Sequence, residues 1–157
     1  MNYAHSNSQN IWAGVTGTQF EEEFIKIASV KVTWFGQYIP YDASMRIVRK
    51  AQAPNSALND EGLKFRNEIA RQMQISPDEL SVYGSLKTCL DEKHGVDLFI
   101  DWNGITVTVD LTMNPNKTGY KADVVVAPSD VNDGYTLAAD RVAWAFRQGS
   151  RPSLRAS

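Results

Sequence analysis

The sequence is short of cysteine, of histidine and of any long apolar run. Cys89 is its one cysteine, which excludes an internal disulfide framework and fits a reducing compartment. A lone thiol without clustered histidine is no zinc site either, so Cys89 reads as a buried apolar residue. No stretch is long and apolar enough to span a membrane. The opening MNYAHSNSQN is polar and lacks the apolar core of a signal peptide, so a soluble, cytoplasmic protein is expected. Net charge is −2, from 16 basic and 18 acidic residues; that excludes a globally basic surface, and a nucleic-acid partner would need a local patch. Internal repeats and low-complexity tracts are absent. What is present suits one domain: 157 residues, 43% of them hydrophobic, enough for a sizeable core.

The most informative stretch is Gly95 to Thr112, GVDLFIDWNGITVTVDLT. Asn103-Gly104 sits between two alternating runs, and Asn-Gly tolerates the positive φ that both central positions of a type I′ turn require. A two-residue turn sets Trp102 against Ile105, Ile100 against Val107 and Leu98 against Val109. Side chains alternate across a strand, so these residues share a core face with Leu111. Asp97, Phe99, Asp101, Thr106, Thr108, Asp110 and Thr112 take the opposite, polar face. In this register Asp97 lies across from Asp110. Asp is disfavoured in strands and like charges directly opposed destabilise a sheet, so the pair calls for compensation. A divalent cation supplies it, and Mg²⁺ is commonly held by one or two carboxylates plus water and phosphate. A plain solvated face is the alternative.

Around this hairpin the pattern is mixed. Residues 1–13 read as a flexible polar arm. A helix is expected from Thr16–Thr18 to Ser29, with Phe20, Phe24, Ile27 and Ala28 as its stripe and Glu21, Glu22 and Glu23 in its first turns. Residues 30–35 and 44–49 read as strand pieces, the second ending in a basic cluster of Arg46, Arg49 and Lys50 that suits phosphate contacts or an exposed strand end. A helix follows over about 60–74, with Leu63, Ile69, Ala70 and Met73 inward. Ser76-Pro77-Asp78-Glu79 has the form of a capping box, which predicts a short helix towards Ser85. Together these make a helical insertion over about 59–86. After the hairpin, residues 121–128 (KADVVVAP) read as a buried strand beside 105–112, and TLAADRVAWAFRQ as a helix from Thr136 with Leu137, Val142, Ala143 and Phe146 inward. Trp34, Trp102 and Trp144 are read as core residues. Residues 149–157 read as a disordered tail carrying Arg151 and Arg155. The order predicts a single α/β domain over 14–148, a small mixed β-sheet flanked by helices.

These residues resemble the PD-(D/E)XK nuclease superfamily. The match lies in Gly95-Val96-Asp97 and, thirteen positions after Asp97, Asp110-Leu111-Thr112, preceded by a glutamate-bearing helix. Gly17-Thr18-Gln19-Phe20-Glu21 is also similar to the N-terminal helix of archaeal-type Holliday junction resolvases, and the resemblance runs from about residue 14 to 148. It implies a restriction-endonuclease-like sandwich and a metal-dependent DNA endonuclease, site- or structure-directed, of the kind phages and mobile elements encode. It implies Mg²⁺ or Mn²⁺ on Asp97, Asp110 and Glu21, with DNA as partner, nucleic-acid contacts from Arg46, Arg49 and Lys50, and homodimers for double-strand cutting. The motif lysine is replaced by Thr112, so Lys121 or Lys117 is expected to supply the missing charge. A catalytically inactive nuclease-like domain that binds DNA or a protein is the alternative that Thr112 favours. A plain interaction protein with solvated aspartates is a third. Asp101 and His94 are minor candidates for ligand and base.

Overall fold

A computed structural model describes residues 12–27, 36–114, 116 and 119–149. The expected strand at 30–35, Trp34, Lys117 and the tail from residue 150 lie outside the described residues, as does the arm up to residue 11. Helix α1 (Gly17–Glu22) begins where expected, because Thr16 and Gln19 form a reciprocal cap: the Gln19 N–H donates to Thr16 Oγ1 at 3.1 Å and the Thr16 N–H to Gln19 Oε1 at 2.9 Å. It ends well before Ser29. Tertiary pairing takes over from the local helical pattern: Ile25 bridges to Leu58, and the Lys26 N–H donates to Ala57 O at 2.8 Å. Two glycines permit this approach. A Cβ on Gly62 would stand 2.3 Å from Phe24 O, and one on Gly84 would stand 2.2 Å from Ile25 Cγ2.

The strand expected at 44–49 is instead helix α2 (Tyr41–Ala51), entered from Pro40, with Asp42 in its first turn and Arg49 and Lys50 in its last. Those charges suit the helix dipole, and Ser44, Met45 and Val48 fall at helical spacing on its buried side. Helix α3 (Asp60–Met73) matches its prediction, except that Phe65 packs inward while Leu63 faces out. The cap at Ser76 forms with Glu79, but it closes only one 3₁₀ turn, Pro77–Glu79. Strand β1 (Ser81–Gly84) follows where a helix was expected, so the second half of the supposed helical insertion is an edge of the sheet. Helix α4 (Cys89–His94), with Cys89 buried, precedes the hairpin.

Strands β2 (Leu98–Trp102), β3 (Ile105–Leu111) and β4 (Val124–Val126) complete a mixed four-stranded sheet in sequential order, antiparallel except for the parallel β3–β4 pair. Helix α5 (Pro128–Asn132) leads to α6 (Thr136–Gln148). One face buries Leu98, Ile100, Val107, Val109 and Leu111 against residues of α1, α3 and α6. The face read as polar is also covered. Phe99 and Tyr83 stack at 5.2 Å in a second core with Met45, Val48, Leu90 and Val96, under α2 and α4. The result is three layers, helices on both faces of the sheet. Two residues assigned to the core on α6 are exposed instead, Leu137 and Trp144, whereas Trp102 is partly buried and meets Phe146 edge-on. Among the described residues no helix is long and apolar enough to cross a membrane.

Candidate active site

The hairpin turns at Asn103 (φ 53°) and Gly104 (φ 78°), and its register is the expected one, with Leu98 opposite Val109 and Trp102 opposite Ile105. One residue earlier the ladder departs from the simple alternation. The Asp97 N–H donates to the carbonyl of Val109, which already faces Leu98, so two residues of one strand stand against one of the other. This is bulge geometry, and bulges re-aim side chains. The Asp97 carboxylate turns to the next strand and accepts the Leu111 N–H at 2.7 Å, in place of a backbone carbonyl. The backbone on both sides is fixed. Gly95 closes α4 in the left-handed region, Ser85 Oγ donates to Val96 O at 2.6 Å, and the Ser85 N–H donates to Asp97 O at 2.9 Å.

Asp97 is 2% exposed and lies beside Asp110, from late in β3, and Asp91, from α4. Burial pushes its carboxyl far above the usual aspartate range, and its contact with Asp110 and the charges of Asp91 and Glu21 push the same way. Glu21 approaches from α1. It is raised to about 7, by burial first and then by Asp91; Lys87 opposes the rise, and Asp110 and Glu92 add to it. Four acidic side chains from α1, α4, the start of β2 and the end of β3 therefore converge at one end of the sheet, with Lys87 beside them.

Asp91 and Lys87 were missed in the sequence. Lys87 holds a left-handed backbone (φ 69°) in the turn between β1 and α4, and its N–H donates to Asp91 Oδ2 at 2.9 Å. A positive φ is uncommon for lysine and draws attention to the turn. The turn was illegible because β1, which positions it, was read as helix.

The other sequence candidates have described partners of their own. Lys121 is exposed and its Nζ lies 3.5 Å from Lys93 O, at the end of α4; Lys117 lies outside the described residues. Thr112 continues the sheet, its N–H donating to Val126 O at 2.9 Å, and its hydroxyl accepts the Asn114 N–H at 3.0 Å. Arg49 turns inward: it grips Asp101 through two nitrogens at 2.7 and 2.9 Å, reaches Thr106 Oγ1 and lies over the Phe99 ring. It is a structural clamp across the β2–β3 ladder, which also removes Asp101 from the ligand candidates, while Arg46 and Lys50 remain exposed on α2. His94 is buried, between Tyr38 and Tyr41 and with Nε2 2.7 Å from Ile39 O, as a structural residue would be.

Among the described residues no group of three or more His, Cys, Asp or Glu side chains is arranged to hold a metal ion. A complete protein cage is thus absent. The donor set fits the looser habit of Mg²⁺, which takes one or two carboxylates and keeps water in its other positions. Asp97 and Asp110 are the pair that suits this, with Glu21 and Asp91 close enough to act on the Asp97 charge. Comparisons of the chain with family models, with curated proteins and with solved structures find no match.

Proposed function

We propose that the protein is a metal-dependent DNA endonuclease of the PD-(D/E)XK, restriction-endonuclease-like type. The observation that carries this reading is the meeting of Asp97 and Asp110, thirteen residues apart, at the end of the central hairpin with Glu21 of the first helix facing them. A buried carboxyl set against half-buried Asp110 and Glu21 suits a cation better than a solvated or packed interior. A bound Mg²⁺ or Mn²⁺ would polarise a phosphate oxygen and lower the pKa of a water nucleophile. Asp97 and Asp110 would hold it. Glu21, held near neutrality, is suited to accept a proton from a water placed beside the pair. Lys87 acts on the charge of Glu21 and its N–H holds Asp91, so we assign it the charge that Thr112 lacks, with Lys121 as the alternative. A preorganised positive group facing the developing charge at phosphorus is commonly a large term in such reactions. On this reading Arg46 and Lys50 contribute to a DNA-facing surface, the protein works in the cytoplasm of a cell or phage host, and cutting both strands calls for a homodimer.

Incubation with supercoiled, linear, single-stranded and branched DNA, in Mg²⁺ or Mn²⁺ and in EDTA, tests the proposal. Metal-dependent products that vanish in Asp110→Asn support it. A chain that shifts DNA in a gel yet cuts none of these substrates is the binding domain that Thr112 favours, and the enzyme reading then fails.

A further inference from the structure

The turn that carries Lys87 is held in a strained shape, and Asp91 is a side chain that holds it. The Thr88 N–H donates to Ser85 O at 3.1 Å, which makes Ser85 to Thr88 a turn with Lys87 in its third place. Lys87 sits there at φ 69°. A left-handed residue in that place is usually glycine, because a Cβ is crowded in this region. Strain of this kind persists only where the surroundings over-determine it, and it gathers at functional sites. Ser85 is pinned to the strand entry: its N–H donates to Asp97 O at 2.9 Å and its hydroxyl to Val96 O at 2.6 Å. The Thr88 hydroxyl donates to Ser85 O at 2.7 Å. The Lys87 N–H donates to Asp91 Oδ2 at 2.9 Å.

Asp91 is the third residue of α4, a common place for an acid that caps a helix start. Ordinary capping does not account for its contact. A capping acid in this place returns to the N–H of the cap residue, here Thr88. That N–H is already taken by Ser85 O, and Asp91 reaches one residue further back, to Lys87. A carboxylate is a stronger acceptor than an amide or hydroxyl oxygen, which suits a backbone that must be kept in a strained shape. Asp91 is also half-buried and lies beside Asp97. One side chain thus joins the lysine turn to the acidic end of the sheet, and the Lys87 charge already acts on Glu21.

We propose that Asp91 is a positioning residue: its carboxylate latches the strained Lys87 turn beside Asp97, so that the lysine is in place before substrate arrives. The inference rests on the reading of this end of the sheet as a nuclease site with Lys87 as its cation. Asp91→Ala and Asp91→Asn, made in the full chain, are read in two ways. The first is amide exchange by NMR without metal or DNA. Asp91→Ala should speed exchange of the Lys87 amide at least about tenfold and leave Ile100, in mid-sheet, unchanged; Asp91→Asn, which keeps an acceptor there, should stay within about threefold of the wild type. The second is single-turnover cleavage at saturating Mg²⁺, with DNA affinity measured at the same salt. Asp91→Ala should cut about ten- to a hundredfold more slowly at unchanged affinity, and Asp91→Asn should recover most of the rate. Unaltered Lys87 exchange in Asp91→Ala overturns the proposal, as does equal acceleration at Ile100 or cleavage by Asp91→Ala at the wild-type rate. Where Asp91→Ala does not fold, adding Lys87→Gly should restore folding, because glycine takes the left-handed place unaided; failure to restore it overturns the latch. A wild type that cuts no DNA overturns the nuclease reading, and the Lys87 amide then decides the latch by itself.

Discussion

Replacing Asp97 by asparagine keeps the shape of the acidic site while removing one acid from it. The amide oxygen can still accept the Leu111 N–H, now held at 2.7 Å, and the amide nitrogen can donate to Asp110. The electrostatics change sign. Asp97 has its folded pKa raised well above the ordinary 3.8, so the fold keeps a proton that the unfolded chain gives up. That extra proton binding supports the fold fully below the unfolded value and is lost as pH rises towards the folded one. At pH 7 the separation from 3.8 is about three units, a ceiling of about 4 kcal/mol against the wild type. Relaxation of the neighbouring acids and water reduces this to an expected gain of about 1–2 kcal/mol for Asp97→Asn. The gain should be larger at pH 8 than at pH 5. Urea unfolding followed by tryptophan fluorescence, in EDTA, measures it. Asp97→Ala is the contrast: it orphans the Leu111 N–H and should lose about 1–3 kcal/mol. If Asp97→Asn is the less stable protein at both pH values, or its advantage does not grow with pH, the carboxyl is not the strained group described.

The remaining predictions concern the ion, the lysine and the packing. Mg²⁺ should raise the melting temperature of the wild type, and Asp110→Asn should remove that response; an identical rise in both would locate the ion elsewhere. Lys87→Ala should slow DNA cleavage by about a hundred- to thousandfold with little change in DNA affinity, whereas Lys121→Ala should cut at close to the wild-type rate; the reverse ranking would restore Lys121 as the replacement cation. Gly62→Ala should destabilise the chain by about 1–3 kcal/mol, because its Cβ would meet Phe24 O, a backbone atom that cannot swing aside. A neutral result in chemical unfolding would show that the Ile25–Leu58 bridge yields.

The parts of the molecule that were legible in the sequence are those fixed by short-range chemistry. Asn103-Gly104 declares its own turn, and the alternation beside it places Leu98 and Val109 without reference to anything distant. Helices α3 and α6 are long enough for their 3.6-residue period to stand out. The stretch ASMRIVRK is not: its apolar residues fit a strand nearly as well as a helix, and packing of Met45 and Val48 on Phe99 and Tyr83 decides the matter. Ser76 and Glu79 do form their cap, but a cap says where a helix begins and nothing about its length; Val82 and Tyr83 are drawn into the sheet by pairing with Ile100 and Phe99. The same limit governs the site. The spacing of Asp97 and Asp110 was visible along the chain, while Asp91 and Lys87 join them only through a turn whose position depends on β1. The bulge at Asp97 had no local signal at all.

Cys89 gives the protein a built-in clock. Its sulfur receives the Ile39 N–H at 3.2 Å and donates to Ile39 O at 3.6 Å, and His94 reaches the same carbonyl. The thiol is buried and is the sequence's one cysteine, so a thiol reagent can react only when the segment around Ile39 lifts away from α4. The labelling rate then counts openings of that clasp, one molecule at a time and without engineering a probe. Because α4 also carries Asp91, an ion or DNA that steadies the acidic end of the sheet has a route to slow the clock.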